Sequence, residues 1–131
     1  MATVRRFEEL ECWKLARKIH CLIGELIDKG ALRGNYRLIN QLEGSSGSIM
    51  DNIAEGFERG NKTEFILFLG YAKGSSGELR SQLYRLLDRK YISEPEFEVL
   101  ISYSKRISGM IQKMIEYLKK TTYQGLRKKE P

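Results

Sequence analysis

No proline occurs before Pro95, and the apolar residues on both sides of it step by three and four. That pattern confines the chain to long helices, because proline is the residue that ends them and a 3–4 step keeps apolar side chains on one helical face. Cys12, Ala16, Ile19, Ile23 and Leu26 form one stripe, on a segment from about Phe7 to Lys29. Ile39, Leu42, Ser46, Ile49, Ile53 and Gly56 form the second. Its segment starts at Asn35, an expected N-cap, and runs to Glu58, with Gly60 as the stop. The third stripe is Phe65, Leu69, Ala72, Ser76, Leu79, Leu83 and Leu86, opened by Asn61 with Glu64 three residues on. The fourth is Phe97, Leu100, Ser104, Ile107, Ile111, Met114 and Leu118. Ser93 and Glu96 supply its capping box, and Pro95 is tolerated in the first turn. No segment alternates with period two, which argues against strands.

Segments of about 22 residues make helices about 33 Å long. The short connections between them imply antiparallel neighbours. The predicted fold is therefore all-α, an antiparallel up-down-up-down four-helix bundle over residues 1–120, followed by a basic tail at 121–131. The most apolar stretch, about Phe65 to Ala72, is far short of the roughly 20 residues that span a bilayer. The N-terminal residues carry charge and no apolar core, so a signal peptide is not expected, and the expected location is the cytoplasm.

Gly44-Ser45-Ser46-Gly47-Ser48 recurs as Gly74-Ser75-Ser76-Gly77. Glycine costs a helix interior up to about 1 kcal/mol relative to alanine, so the repeat asks for a packing reason. A hairpin of the second and third segments centred on Arg59 brings Gly44 level with Gly74, and predicts close backbone approach there. The same pairing puts Asn52 and Glu55 near the start of the third helix, where Glu55 is expected to cap free N–H groups. Met50, Phe57, Ile66, Leu67, Tyr71, Tyr84, Tyr103, Met110 and Tyr117 fall outside the four stripes and suggest a second apolar surface, with self-association the simplest use.

Catalytic signatures are absent. His20 is the only histidine, with no serine or aspartate at a helpful spacing, and reads as a half-buried structural residue. Cys12 and Cys21 lie about 13.5 Å apart along a helix, on opposite faces, so they cannot pair there. The Glu-x-x-His pairs of di-iron bundles, a P-loop and a dinucleotide fingerprint are all missing. Asp51, Glu55, Glu64 and Glu78 have no metal-specifying spacing. No enzyme activity, cofactor or metal is expected.

Charge carries the remaining signal. The net charge is +6, but residues 1–58 hold 8 Lys/Arg and 9 Asp/Glu, whereas residues 59–131 hold 15 and 8. The positive excess lies entirely in the second half, which fits either a surface for a polyanion or a solvated helix exterior with a basic tail. Arg106, Lys113 and Lys120 recur every seven residues on the fourth segment. Lys73 and Arg80 do so on the third, with Arg85 and Arg89 beyond. Heptad spacing keeps each set on one face. Such cations contact phosphates without reading sequence.

Asn52-Ile53-Ala54-Glu55-Gly56, followed by Phe57-Glu58-Arg59-Gly60, resembles the bacterial family of 23S rRNA intervening-sequence proteins. Phe7-Glu8-Glu9-Leu10 with Trp13, Ala16 and Arg17, then Glu64-Phe65 with Phe68-Leu69, Ala72 with Gly74-Ser75, Glu78-Leu79 with Gln82-Leu83, and Tyr91-Ile92-Ser93 extend the resemblance over about residues 5–118. It implies a four-helix bundle that assembles as a ring-like homopentamer, with no catalytic residues. It also implies similarity to the accessory variability proteins of diversity-generating retroelements, basic pentamers that bind nucleic acid and a reverse transcriptase. Many relatives carry a basic pair about ten residues before the Asn52 motif, where this chain reads Leu42-Glu43-Gly44. The expected partners are therefore further copies of the chain together with RNA or DNA, bound through the third and fourth helices; the alternative is a scaffold for a protein such as a reverse transcriptase, without direct nucleic-acid contact.

Overall fold

A computed structural model describes residues 4–121. A short 3-10 turn, Phe7–Glu9, precedes α1 (Glu11–Asp28), α2 (Tyr36–Glu58), α3 (Lys62–Asp88) and α4 (Glu94–Lys120). Consecutive helices pack side by side and α1 also packs on α4, closing an antiparallel four-helix bundle. Among the described residues there is no strand element. No helix of the described residues is long and apolar enough to cross a membrane. Apart from Thr121, the tail expected at 121–131 lies outside the described residues.

The helix boundaries follow the chemistry of their caps. The Asn35 side chain accepts from the Leu38 N–H, and that of Asn61 accepts from the Glu64 N–H. Ser93 and Glu96 form a reciprocal capping box. Gly60, at φ +79, ends α2 in the left-handed region that glycine enters without a steric penalty. Helix α1 closes with Ala31 N–H on Leu26 C=O and Gly30 N–H on Ile27 C=O. Helix α3 closes in the same way, with Tyr91 N–H on Leu86 C=O and Lys90 N–H on Leu87 C=O. Both are Schellman ends, one built on glycine and the other on a lysine at φ +60.

The stripes of α1 and α3 are buried throughout. Two positions of the other stripes shift. Ile39 and Met114 are half-buried, and Leu38 and Ile115 take the core places. Each lies one residue away, which is the phase drift expected where 3.6 residues per turn meet a 3–4 stepping pattern. Phe57, placed outside the core by spacing, is also buried, edge-on to Phe65 with centroids 5.8 Å apart. Of the expected second apolar surface, Leu67, Tyr71 and Tyr84 are exposed. Met50, Ile66, Tyr103, Met110 and Tyr117 pack partly against the core.

The small-residue patches do not meet through their glycines. Ser75 donates to Ser48 across the α2–α3 pair at 3.0 Å, and Ser45 donates to Gln82 Oε1 at 2.6 Å. These contacts centre the hairpin near Asn61–Lys62 rather than Arg59, which moves Gly44 more than one turn out of register with Gly74. Both glycines stand in open space. Close approach falls instead at Gly56, where a Cβ would stand 2.6 Å from Phe68 Cβ and 3.1 Å from Phe65 Cδ1. The serines satisfy their hydroxyls inside the bundle: Ser46 donates to Leu42 C=O at 2.7 Å and Ser76 to Ser104 C=O at 3.2 Å. Such pairing is what makes buried hydroxyls tolerable.

Candidate nucleic-acid interface

The run from Asn52 to Gly56 occupies the last turns of α2. Asn52 donates to Ser48 C=O at 2.8 Å and to Ser48 Oγ at 2.9 Å, binding one turn of α2 to the next. Ile53 is fully buried, Ala54 half-buried, and Gly56 admits the Phe65–Phe68 turn of α3. Glu55 does not cap α3, because Asn61 fills that place. It is exposed and pairs with Arg59 one turn on, at 3.0 Å.

His20 has partners that linear spacing hid. Its Nδ1 lies 2.8 Å from Ser46 Oγ, and its Nε2 lies 3.4 Å from Glu43 Oε1. Ser46 Oγ also donates to Leu42 C=O, so the hydroxyl links the ring to the α2 backbone. The trio ties α1 to α2. Ser46 is fully buried, so it presents no open nucleophile. Glu43 is thus engaged with a histidine. Cys12 is buried, and burial pushes its thiol up to about 11, against smaller opposing effects of backbone hydrogen bonds at Trp13 and Cys12. Cys21 is exposed, and both cysteines are free. Among the described residues no three His, Cys, Asp or Glu gather as a metal site, and Asp51, Glu55, Glu64 and Glu78 form no such cluster. A groove of about 200 Å³ lies between α1 and α4, lined by Leu22, Leu26, Val99 and Leu100, with the Lys29–Glu96 pair at its rim. It is smaller than an ordinary small-molecule site.

The seven predicted cations divide among three places. Lys73 donates to Gln112 Oε1 at 2.7 Å, which fixes the facing edges of α3 and α4. Seven-residue steps from that contact put Arg80 on the same edge of α3, and Lys105 and Lys119 on the same edge of α4. Arg106, Lys113 and Lys120 lie one residue further round α4 and are all exposed. Arg106 rests over the Tyr103 ring, 5.8 Å from its centroid. Arg85 reaches the opposite edge of α3 and donates to Gln41 Oε1 on α2 at 2.9 Å. Arg89 leaves the end of α3 and stacks on Tyr91 at 5.4 Å. Lys73 with Arg80, and Arg85 with Arg89, therefore form separate groups. None of the seven joins an ion pair among the described residues; those pairs use Arg6, Lys14, His20, Lys29 and Arg59.

Sequence reasoning missed Arg33. It belongs to the α1–α2 connection, yet its guanidinium lies 5.1 Å from the Tyr91 centroid in the α3–α4 connection. Asn35, also in the first connection, donates to Tyr91 Oη at 3.3 Å. Arg33 sits at φ +50, a conformation that costs an L-residue about 1 kcal/mol. The only signal was that antiparallel topology puts both connections at one end of the bundle.

Four antiparallel helices around an apolar core, with seven cations that have no carboxylate partner among the described residues, define a helical-bundle protein. The chain belongs to the family described as 23S rRNA-intervening sequence protein, which it matches over residues 8–113. Its fold is similar to the crystal structure of a Bacteroides thetaiotaomicron protein of unknown function from the S23 ribosomal protein family. The two share 21% identity, with a TM-score of 0.72 and coverage of 80% of this chain and 98% of that one. None of the curated proteins matches the chain.

Proposed function

We propose that this chain is a non-enzymatic, cytoplasmic homo-oligomer, a pentamer by family resemblance, whose basic surface holds RNA or DNA without strong sequence preference. The observation that carries the reading is that Lys73, Arg80, Arg85, Arg89, Arg106, Lys113 and Lys120 form no ion pair among the described residues. Cations free of carboxylates are available to phosphates, and a ring of copies multiplies each group around its circumference. The exposed Leu67, Tyr71 and Tyr84 supply apolar area for self-association.

A second reading rests on those same apolar residues. They suit a protein-interaction scaffold or accessory subunit, for instance for a retroelement reverse transcriptase, with no direct nucleic-acid contact. Two experiments decide. Light scattering at micromolar concentration is expected to give a mass several times that of one chain, and a monomer contradicts the assembly. Labelled structured RNA and duplex DNA are both expected to bind at low salt, and binding of neither favours the scaffold.

A further inference from the structure

We infer that the end of the bundle formed by the α1–α2 and α3–α4 connections grips the phosphodiester backbone of a nucleic-acid strand, through Arg33 and Arg89 mounted on Tyr91. This deepens the nucleic-acid reading above and rests on it. Three observations converge. Two guanidiniums from connections 56 residues apart in sequence lie 5.1 and 5.4 Å from one aromatic centroid. Neither forms an ion pair among the described residues. The ion pair at this end, Lys29 with Glu96, uses Lys29 and neither arginine.

The backbone adds the second observation. Of the four left-handed positions in these two connections, two are held by glycine, Gly30 and Gly34, and two by cations, Arg33 at φ +50 and Lys90 at φ +60, the latter in the Schellman position that Gly30 fills after α1. Glycine is the easier residue there, and strained positions persist where the side chain has a use. The third observation is rigidity. The Asn35 hydrogen bond to Tyr91 Oη ties the ring to the N-cap residue of α2, which fixes the platform on which both guanidiniums rest.

The chemistry points to phosphodiester. A guanidinium presents a planar fork of donors that matches phosphate oxygens, and stacking on an aromatic ring leaves those donor edges free. Two such forks held by one ring suit successive phosphates of a strand better than one carboxylate, which needs a single fork. Contacts of this kind fix the strand's position and carry no base readout.

The test uses the full chain and a fluorescein-labelled RNA hairpin with single-stranded flanks, titrated from low to moderate salt. Arg33→Gln/Arg89→Gln is compared with Lys14→Gln/Arg17→Gln, which removes the same charge from α1. Removing one phosphate contact makes the slope of log Kobs against log salt shallower by about 0.7 to 0.9, so the first variant is expected to flatten it by about 1.5. The α1 variant is expected to keep the wild-type slope, and both variants to keep the wild-type thermal midpoint. Equal slopes for the two variants overturn the site while leaving the surface reading intact. Failure of the wild-type chain to bind at low salt overturns the reading itself.

Discussion

Gly56 lies directly beneath Phe68, so close that a Cβ at position 56 would stand 2.6 Å from the Phe68 Cβ. Backbone of α3 cannot retreat there without disturbing Phe65, whose Cδ1 would lie 3.1 Å from the added atom. Gly56→Ala should therefore destabilise the fold by about 1 to 3 kcal/mol through overpacking. Urea unfolding followed by circular dichroism measures it, and an unchanged midpoint would contradict the close approach.

Gly44 should behave in the opposite way. Nothing lies within 4 Å of the position a Cβ would take there. Gly44→Ala should stabilise α2 by about 0.5 to 1 kcal/mol, the helix-propensity gain. The same urea experiment checks it, and a loss of stability would mean that another surface covers this face.

Glu96 gives the fold a pH dependence with a definite sign. The hydrogen bond from the Ser93 N–H holds its carboxyl below the ordinary value, helped by the Lys29 ammonium. A depressed carboxylate contributes stability above its unfolded pKa and loses it as pH falls through the lower folded value. Glu96→Gln keeps the capping geometry but removes the charge at an exposed site, so it should cost about 0.5 kcal/mol at pH 7. The difference from wild type should shrink as pH falls below about 4.3, the ordinary glutamate value. Thermal midpoints of both proteins between pH 3 and pH 7 test this, and a gap independent of pH would contradict it.

The two cysteines should differ sharply in reactivity. Cys21 is exposed, whereas burial holds the Cys12 thiol at about 11. At pH 8 only about 0.1% of such a thiol is thiolate, the reactive form. A thiol reagent should label one site quickly in the native chain and both after denaturation. Rapid double labelling of the native chain would contradict the burial of Cys12.

Helix phase was legible in the chain because it is a local property. The stripe from Cys12 to Leu26 and the caps at Asn35, Asn61 and Ser93 depend on neighbours three or four residues away. Register between helices was not legible, because it depends on where the α2–α3 connection turns. A shift of that pivot by about three residues moved Gly44 away from Gly74, freed Glu55 from a capping role, and gave the close approach to Gly56. Side-by-side placement was hidden for the same reason. Spacing put Lys73, Arg80, Arg85 and Arg89 on one helix, but only the contacts to Gln112 on α4 and Gln41 on α2 reveal that they serve opposite edges. His20 with Ser46, and Arg33 with Tyr91, are tertiary neighbours for which a single sequence offers no periodic signal.

Binding of a polyanion by the unpaired cations of this bundle is tested most directly by one slope, that of log Kobs against log salt for the unmodified full chain and a structured RNA. A slope of about −3 or steeper is expected, from at least four phosphate contacts. Binding that does not change with salt, or no binding at low salt, would contradict it.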